Sequence, residues 1–175
     1  MKDRHEIVLA GSGGQGLIVC GMMLGEAAIL EGKNVVQSQS YGIASRGGLS
    51  KAEVIIDKQE IMFQQVQKPD IVLVLTEEAM SMYAANAAES LIFYDTTLVK
   101  VREGKNYYGF PFTEMGRELG HPGTANMVAL GVMCQMTGLV KQESLEAVIN
   151  QRFTGPAVAM NVNALNRGVE LAHLQ

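Results

Sequence analysis

Short apolar or alternating runs in this sequence are separated by longer segments in which apolar residues recur every three or four positions. The short runs predict β-strands and the longer segments predict helices. The predicted strands cover 6–10, 34–38, 50–56, 70–75 and 91–94. The predicted helices cover 16–30, 125–137, 142–152 and 157–171, and a further helix is expected to begin after a cap at Thr76. The run 70–75 is apolar on both faces, which is typical of a central strand in a parallel sheet.

This order of elements favours an α/β protein, because parallel strands need long, usually helical, connections. The chain has 175 residues and shows no internal repeat, linker or low-complexity segment. We therefore predict a single Rossmann-like domain over 1–175, with an open, mainly parallel sheet flanked by helices. In such a fold, ligands lie beyond the carboxyl ends of the strands.

A glycine-rich segment, Gly11-Ser12-Gly13-Gly14-Gln15-Gly16, joins the first predicted strand to the first predicted helix. Glycines allow the backbone to turn tightly and to approach a ligand, and the free N–H groups at a helix start attract anions. We therefore predict that this segment binds a phosphate-bearing ligand. The candidate residues are Gly11, Gly13, Gly14, Gln15 and Gly16.

A second glycine-rich segment, 38–48, follows the second predicted strand, and we expect it to reach the same edge of the sheet. It contains a lone arginine, Arg46, whose guanidinium can hold a phosphate or carboxylate through paired hydrogen bonds. The candidate binding residues in this segment are Ser40, Tyr41, Arg46 and Gly47. The alternative is that the glycines only reverse the chain and that Arg46 is a surface cation.

An ordinary nicotinamide dinucleotide site does not fit this sequence. Such a site needs an acidic residue for the ribose about 20 residues beyond the glycines, at the end of the second strand. Val35, Val36, Gln37 and Ser38 occupy that place, with neither a carboxylate nor an adjacent arginine.

Composition and charge narrow the class of partner. The formal charge is −4 and no cluster of lysine or arginine stands out, so we expect no binding to nucleic acid. The longest apolar stretch, 127–136, is too short to span a bilayer, and the first residues do not resemble a signal peptide. We therefore expect a cytoplasmic protein with no membrane association.

The sequence contains no recognisable catalytic or metal-binding group of residues. Iron–sulfur clusters and structural zinc need about four ligands, usually cysteine, and the chain has only Cys20 and Cys134, which we expect to be buried. The acids after the central strand, Glu77 and Glu78, are explained by their favourable interaction with a helix dipole. Asn126, near a predicted helix start, is expected to be a helix cap. We therefore assign no catalytic residue and no metal ligand to this chain.

A family resemblance extends over nearly the whole chain. The chain resembles the gamma subunit of 2-oxoacid:ferredoxin oxidoreductases, and the sequences of its motifs are most similar to those of the 2-oxoglutarate branch. The motifs are Gly11–Gly16, Gln37–Gly42, Arg46–Gly48, Ala52–Val54, Pro69-Asp70, Glu118–Gly120, Asn126–Gly131 and Asn163–Gly168. One departure is visible, because the family often has a proline and an acidic residue where this chain has Ile43, Ala44 and Ser45.

The resemblance implies a non-autonomous enzyme subunit. Such enzymes oxidatively decarboxylate a 2-oxoacid on thiamine diphosphate, pass electrons through iron–sulfur clusters to ferredoxin or a similar acceptor, and transfer the acyl group to coenzyme A. The resemblance places thiamine diphosphate and the clusters in partner alpha, beta and ferredoxin-like delta subunits, with no cofactor bound by this chain alone. It implies that this chain completes the assembly and helps to bind coenzyme A, and we expect a dimer when it is isolated. The alternative is a stand-alone nucleotide-binding Rossmann-like module or regulator.

Overall fold

A mixed sheet forms the centre of the protein in a computed structural model, which describes residues 2–41, 48–84 and 87–174. Within those ranges the sheet has six strands in the order β2-β3-β1-β4-β5-β6. The strands are β1 (Arg4–Ser12), β2 (Asn34–Tyr41), β3 (Leu49–Asp57), β4 (Ile71–Val74), β5 (Leu91–Asp95) and β6 (Tyr107–Phe110). Strand β3 runs antiparallel to both neighbours, and the pairs β1–β4, β4–β5 and β5–β6 are parallel. The predicted open, mainly parallel sheet is therefore confirmed.

Helices flank this sheet, most of them on one face. They are α1 (Leu17–Leu30), α2 (Glu77–Ala79), α3 (Phe112–Glu118), α4 (Ala125–Thr137), α5 (Gln142–Arg152) and α6 (Pro156–Ala172). A single π-helical turn, Met80–Ala84, continues α2, and a 3₁₀ turn, Pro122–Thr124, leads into α4. Among the helices that the structure describes, none combines the length and apolarity needed to cross a membrane.

The alternation of side chains along β1 and β4 creates two apolar layers. Ile7 and Leu73 point into the larger layer, which α1, α4 and α5 cover. Val8 and Val72 point into the smaller one, which the segment from α2 to β5 covers. All four residues of β4 are buried, so this strand is the central one that its two-sided apolar pattern predicts.

Two glycines allow α4 and α6 to cross in close contact. A β-carbon on Gly168 would lie 2.1 Å from the backbone oxygen of Val128, and one on Gly131 would lie 2.2 Å from that of Leu165. The late motifs 126–131 and 163–168 therefore contain the contact points of one helix pair.

Two predictions of secondary structure need correction. No element was predicted between 95 and 124, where β6 and α3 lie, because β6 is a four-residue edge strand and α3 has only seven residues. The second strand was predicted to end at Ser38, whereas β2 continues to Tyr41, since an edge strand can carry exposed polar side chains. The predicted cap at Thr76 is confirmed, because its side chain accepts a hydrogen bond from the Ala79 N–H at 3.2 Å at the start of the three-residue α2.

Both cysteines are free and buried, as expected. Burial raises the pKa of the Cys20 thiol to about 12 and also raises the pKa of the Cys134 thiol. The thiol of Cys20 lies 3.6 Å from the backbone oxygen of Asn126, which accepts its hydrogen bond. At neutral pH both side chains are therefore protonated and act as small apolar residues.

Candidate ligand-binding clefts at the carboxyl edge of the sheet

The glycine-rich loop turns from β1 into α1 with two residues in the left-handed region. Gly14 has a φ of 91° and Gly16 has a φ of 73°, and residues other than glycine rarely adopt such values. A β-carbon on Gly16 would also lie 2.3 Å from Nδ2 of Asn126. The N-cap position of α1 is Gly16, which has no side chain, and no side chain among the described residues caps this helix. Its first-turn N–H groups therefore carry the partial positive charge of a helix start without a side-chain acceptor.

Hydrogen bonds fix the shape of this loop. The Gln15 side chain accepts a hydrogen bond from the Ser12 N–H at 2.7 Å and donates one to the Leu75 carbonyl at 3.3 Å. The Gly13 N–H donates to the Gly48 carbonyl at 2.8 Å. Gln15 thus braces the loop against the end of β4. Gly48, the last residue of the second glycine-rich segment, therefore lies next to the first glycine-rich segment.

A cleft of about 320 Å³ opens beside Gly14, and we call it the loop cleft. It is lined by Gly14, Gln15, Leu75, Leu98, Thr113, Arg117, Pro122, Gly123 and Ala125. Arg117 is exposed, and in the part of the chain that the structure describes its guanidinium forms no ion pair. The loop cleft therefore combines a helix start, a glycine-rich turn and an unpaired cation.

Asp95 at the end of β5 positions the helix that carries Arg117. This fully buried carboxylate accepts hydrogen bonds from the N–H and hydroxyl of Thr113, at 3.1 Å and 2.5 Å, and from the Thr97 N–H at 3.0 Å. Because Thr113 lies in the first turn of α3, Asp95 caps that helix from a neighbouring strand. Neither Asp95 nor Arg117 was among the site residues predicted from the sequence. Only the resemblance of 118–120 pointed to this region.

A second cleft, of about 240 Å³, lies on the other side of the Pro122–Thr124 turn, and we call it the Asn126 cleft. It is lined by Gly16, Val19, His121, Gly123, Thr124, Asn126, Met127, Phe153, Met160 and Asn161. Asn126 is not the expected cap, because Thr124 holds the N-cap position of α4, and the Thr124 side chain makes no capping hydrogen bond. Nδ2 of Asn126 instead donates to the Gly16 carbonyl at 3.4 Å, and its buried Oδ1 has no partner among the described residues.

The other predicted site residues lie at or beyond the same edge. Ser40 is exposed and level with Ala10, since both pair with Lys51 of the intervening β3, which places them roughly 10 Å apart. Tyr41 is the last residue of β2. Arg46 and Gly47 lie outside the described residues.

The Glu77 carboxylate is paired with groups of the protein itself. It accepts a hydrogen bond from the Lys100 N–H at 3.0 Å and forms an ion pair with Arg102. The Lys100 N–H and the Arg102 guanidinium lower the pKa of this carboxyl. Glu77 thus holds the segment that carries Leu98 at the mouth of the loop cleft.

The fold and the site place the protein in a structural class, the α/β domains with a glycine-rich loop at the carboxyl edge of the sheet. Residues 6–171 match the family described as pyruvate ferredoxin/flavodoxin oxidoreductase, and the chain belongs to this family. The chain is 44% identical over 173 residues to the 2-oxoglutarate synthase subunit KorC of Archaeoglobus fulgidus, covering 98% of this chain and 89% of that protein.

Two solved structures extend this comparison. The gamma subunit of a keto/oxoacid ferredoxin oxidoreductase from Geobacter sulfurreducens PCA is 38% identical with a TM-score of 0.84, over 98% of this chain and 99% of that chain. A 2-oxoglutarate:ferredoxin oxidoreductase from Magnetococcus marinus, solved with 2-oxoglutarate, coenzyme A and succinyl-CoA bound, has a TM-score of 0.89 at 21% identity. It covers 100% of this chain and 32% of that chain, and this likeness shows the fold alone. The predicted resemblance is confirmed, and the chain is a subunit of a 2-oxoacid:ferredoxin oxidoreductase.

Proposed function

We propose that this chain is the gamma subunit of a 2-oxoglutarate:ferredoxin oxidoreductase and that it binds the phosphate-bearing part of coenzyme A. The observation that carries the proposal is the loop cleft, where unpaired Arg117 lines the same cavity as Gly14 and Gln15. The name of the Archaeoglobus fulgidus relative supports 2-oxoglutarate as the 2-oxoacid. The gamma-type domain would occupy the whole of 1–175.

The chemistry of the loop cleft suits a phosphate ester. Helix α1 offers uncapped N–H groups at its start, and Arg117 offers planar, paired donors. The cleft volume of about 320 Å³ is at the small end of ligand sites, so it suits part of coenzyme A rather than all of it. The remainder of the coenzyme would extend toward a partner subunit, where its thiol meets the acyl group.

The second glycine-rich segment remains part of the proposed site. Because Gly13 donates its N–H to Gly48, the chain that includes Arg46 and Gly47 rejoins the described structure at the glycine-rich loop. We propose that Arg46 adds a second cation to the phosphate site, with Ser40 and Tyr41 at its margin. In this arrangement Gly11, Gly13, Gly14 and Gly16 allow close approach of the backbone to the ligand, and Gln15 keeps the loop in shape.

The partners and cofactors follow from the same proposal. Thiamine diphosphate, which supplies the decarboxylation chemistry, and iron–sulfur clusters would be bound by alpha, beta and delta subunits in a cytoplasmic complex that reduces ferredoxin. The buried, protonated Cys20 and Cys134 support this division, because cluster ligands are thiolates. Met62, Phe63 and Val101 are exposed apolar side chains that partner subunits would cover, or that would form a dimer when the chain is alone.

Titration of the assembled enzyme with coenzyme A tests this proposal. We expect Arg117→Ala to raise the apparent KM for coenzyme A about tenfold to a hundredfold, since a charged hydrogen bond contributes roughly 1.5–3 kcal/mol. Arg46→Ala should act in the same direction, and both effects should weaken at high salt. The purified chain alone should be colourless and inactive with 2-oxoglutarate and a redox dye.

The matched control is Arg167→Ala, which removes an arginine of α6 that pairs with Glu170 at 3.1 Å, away from both clefts. It should leave the KM for coenzyme A unchanged. Decarboxylation of 2-oxoglutarate without coenzyme A reports whether each complex is assembled. An unchanged KM for coenzyme A in Arg117→Ala and Arg46→Ala, or dissociation of the subunits without a change in affinity, would contradict the assignment.

A further inference from the structure

Asn126 is a buried amide with one end unsatisfied. Only 8% of the residue is exposed, and its Nδ2 donates to the Gly16 carbonyl at 3.4 Å. That contact fixes the orientation of the amide, because a carbonyl oxygen accepts from the nitrogen and repels the oxygen. Oδ1 is therefore the free end, and the described residues give it no donor. Buried polar atoms without a partner are rare, and each needs a physical explanation such as a catalytic role or a bound water or ion.

His121 supplies the opposite hydrogen-bonding capacity in the same cleft. Its Nδ1 accepts a hydrogen bond from the Gly123 N–H at 3.0 Å. In the neutral imidazole Nε2 must then carry the proton, so that it can donate to a ligand. The Asn126 cleft thus offers one hydrogen-bond acceptor and one donor. These two groups match the N–H and the carbonyl oxygen of a secondary amide.

The remaining walls of the Asn126 cleft are largely apolar. Val19, Met127, Phe153 and Met160 line it. Such walls accept methylene groups, and methionine adapts its shape to a flexible chain. The Asn126 cleft and the loop cleft lie on opposite sides of one short turn and share Gly123. A single extended ligand can therefore occupy both.

We propose that the Asn126 cleft binds a secondary amide of the pantetheine arm of coenzyme A, with Asn126 Oδ1 accepting from the amide N–H and His121 Nε2 donating to the amide oxygen. This inference rests on the proposed function, which places the phosphates of the same molecule beside Arg117. Coenzyme A joins a diphosphate to an arm that has two secondary amides and a terminal thiol. Its chemistry thus matches a cationic cleft followed by an apolar cleft with one amide-binding pair.

The test compares two acceptor thiols in the assembled enzyme: coenzyme A, and pantetheine, which has the arm but no phosphates. Asn126→Ala should raise the KM for both thiols by similar factors, about threefold to tenfold, as expected for a lost neutral hydrogen bond. His121→Asn should do the same, because asparagine keeps an acceptor for the Gly123 N–H but is too short to reach the ligand. Arg117→Ala should raise the KM for coenzyme A and not that for pantetheine.

The control is Asn150→Ala, which removes an exposed asparagine of α5 whose Nδ2 donates to the Glu146 carbonyl and which lines neither cleft. It should change neither KM. Unchanged KM values for both thiols in His121→Asn and Asn126→Ala, with Arg117→Ala still impaired for coenzyme A, would overturn the arm site and leave the proposed function standing. Loss of the Arg117→Ala effect would instead contradict the proposed function. Should Asn126→Ala fail to assemble, the His121→Asn result decides.

Discussion

Gly168→Ala is expected to lower the free energy of unfolding by about 2–3 kcal/mol, the upper part of the range for overpacked cores. The new β-carbon would lie 2.1 Å from the Val128 backbone oxygen and 3.0 Å from the Val132 nitrogen. Backbone atoms of a helix cannot rotate away as a side chain can, so α4 and α6 must separate. In a protein of this size the change corresponds to a melting temperature roughly 4–12 °C lower, measurable by calorimetry of the isolated chain.

Two companion variants isolate the cause. Gly131→Ala should lower the free energy of unfolding by a similar amount. The double variant should lose less free energy of unfolding than the two single variants together, because one separation of the helices relieves both contacts. Gly25→Ala in α1 is the matched control, since its β-carbon would meet only a side-chain methyl of Val35, at 3.1 Å. Alanine also favours a helix over glycine, so this variant should be close to neutral. A Gly168→Ala protein with the same melting temperature as the wild type would contradict the close contact between α4 and α6.

Gly16→Ala is expected to cause the largest loss of coenzyme A binding of any single change in the loop. Alanine at a φ of 73° is strained, and its β-carbon would lie 2.3 Å from Nδ2 of Asn126. Relief of that contact must move either the start of α1 or the Asn126 side chain, and so disturbs both clefts. We expect the apparent KM for coenzyme A in the assembled enzyme to rise at least as much as in Arg117→Ala, about tenfold to a hundredfold.

Gly32→Ala separates backbone strain from cleft geometry. Gly32 has nearly the same φ, 75°, but a β-carbon there would meet nothing within 4 Å, and it lies beyond the opposite end of α1. This variant should lose about 1 kcal/mol or more of stability, as expected for strain alone, and keep the wild-type KM for coenzyme A. Equal KM values in Gly16→Ala and Gly32→Ala would show that the contact with Asn126 has no role in ligand binding.

The parts of the fold that the sequence predicted are those with strong local patterns. Strand β4 is apolar on both faces, and the boundaries of α4 and α5 agree with the predicted 125–137 and 142–152. Strand β6 and helix α3 were missed because they are short, and β6 forms an edge of the sheet. Arg117 was missed with them. Its role depends on a cleft that only the folded chain assembles.

Long-range contacts also explain the misassigned Asn126. Its place near a helix start suggested a local cap, but its partner is the carbonyl of Gly16, 110 residues earlier. The cap of α3 was likewise hidden, because Asp95 lies 18 residues before Thr113 and on a different element. The glycine-rich loop could be recognised because its residues are contiguous in the sequence. The contribution of Arg46 and Gly47 stays a prediction.

Hydrogen–deuterium exchange of the assembled enzyme, with and without coenzyme A, tests the central claim most directly. Segments 13–19 and 113–126 contain residues that line the two clefts, and exchange of their amides should report ligand contact. We predict that coenzyme A slows exchange in both segments of this chain, and that the Arg117→Ala and Asn126→Ala variants show less protection than the wild type at coenzyme A concentrations near the wild-type KM. Protection confined to the partner subunits, with unchanged exchange in both segments, would contradict the account.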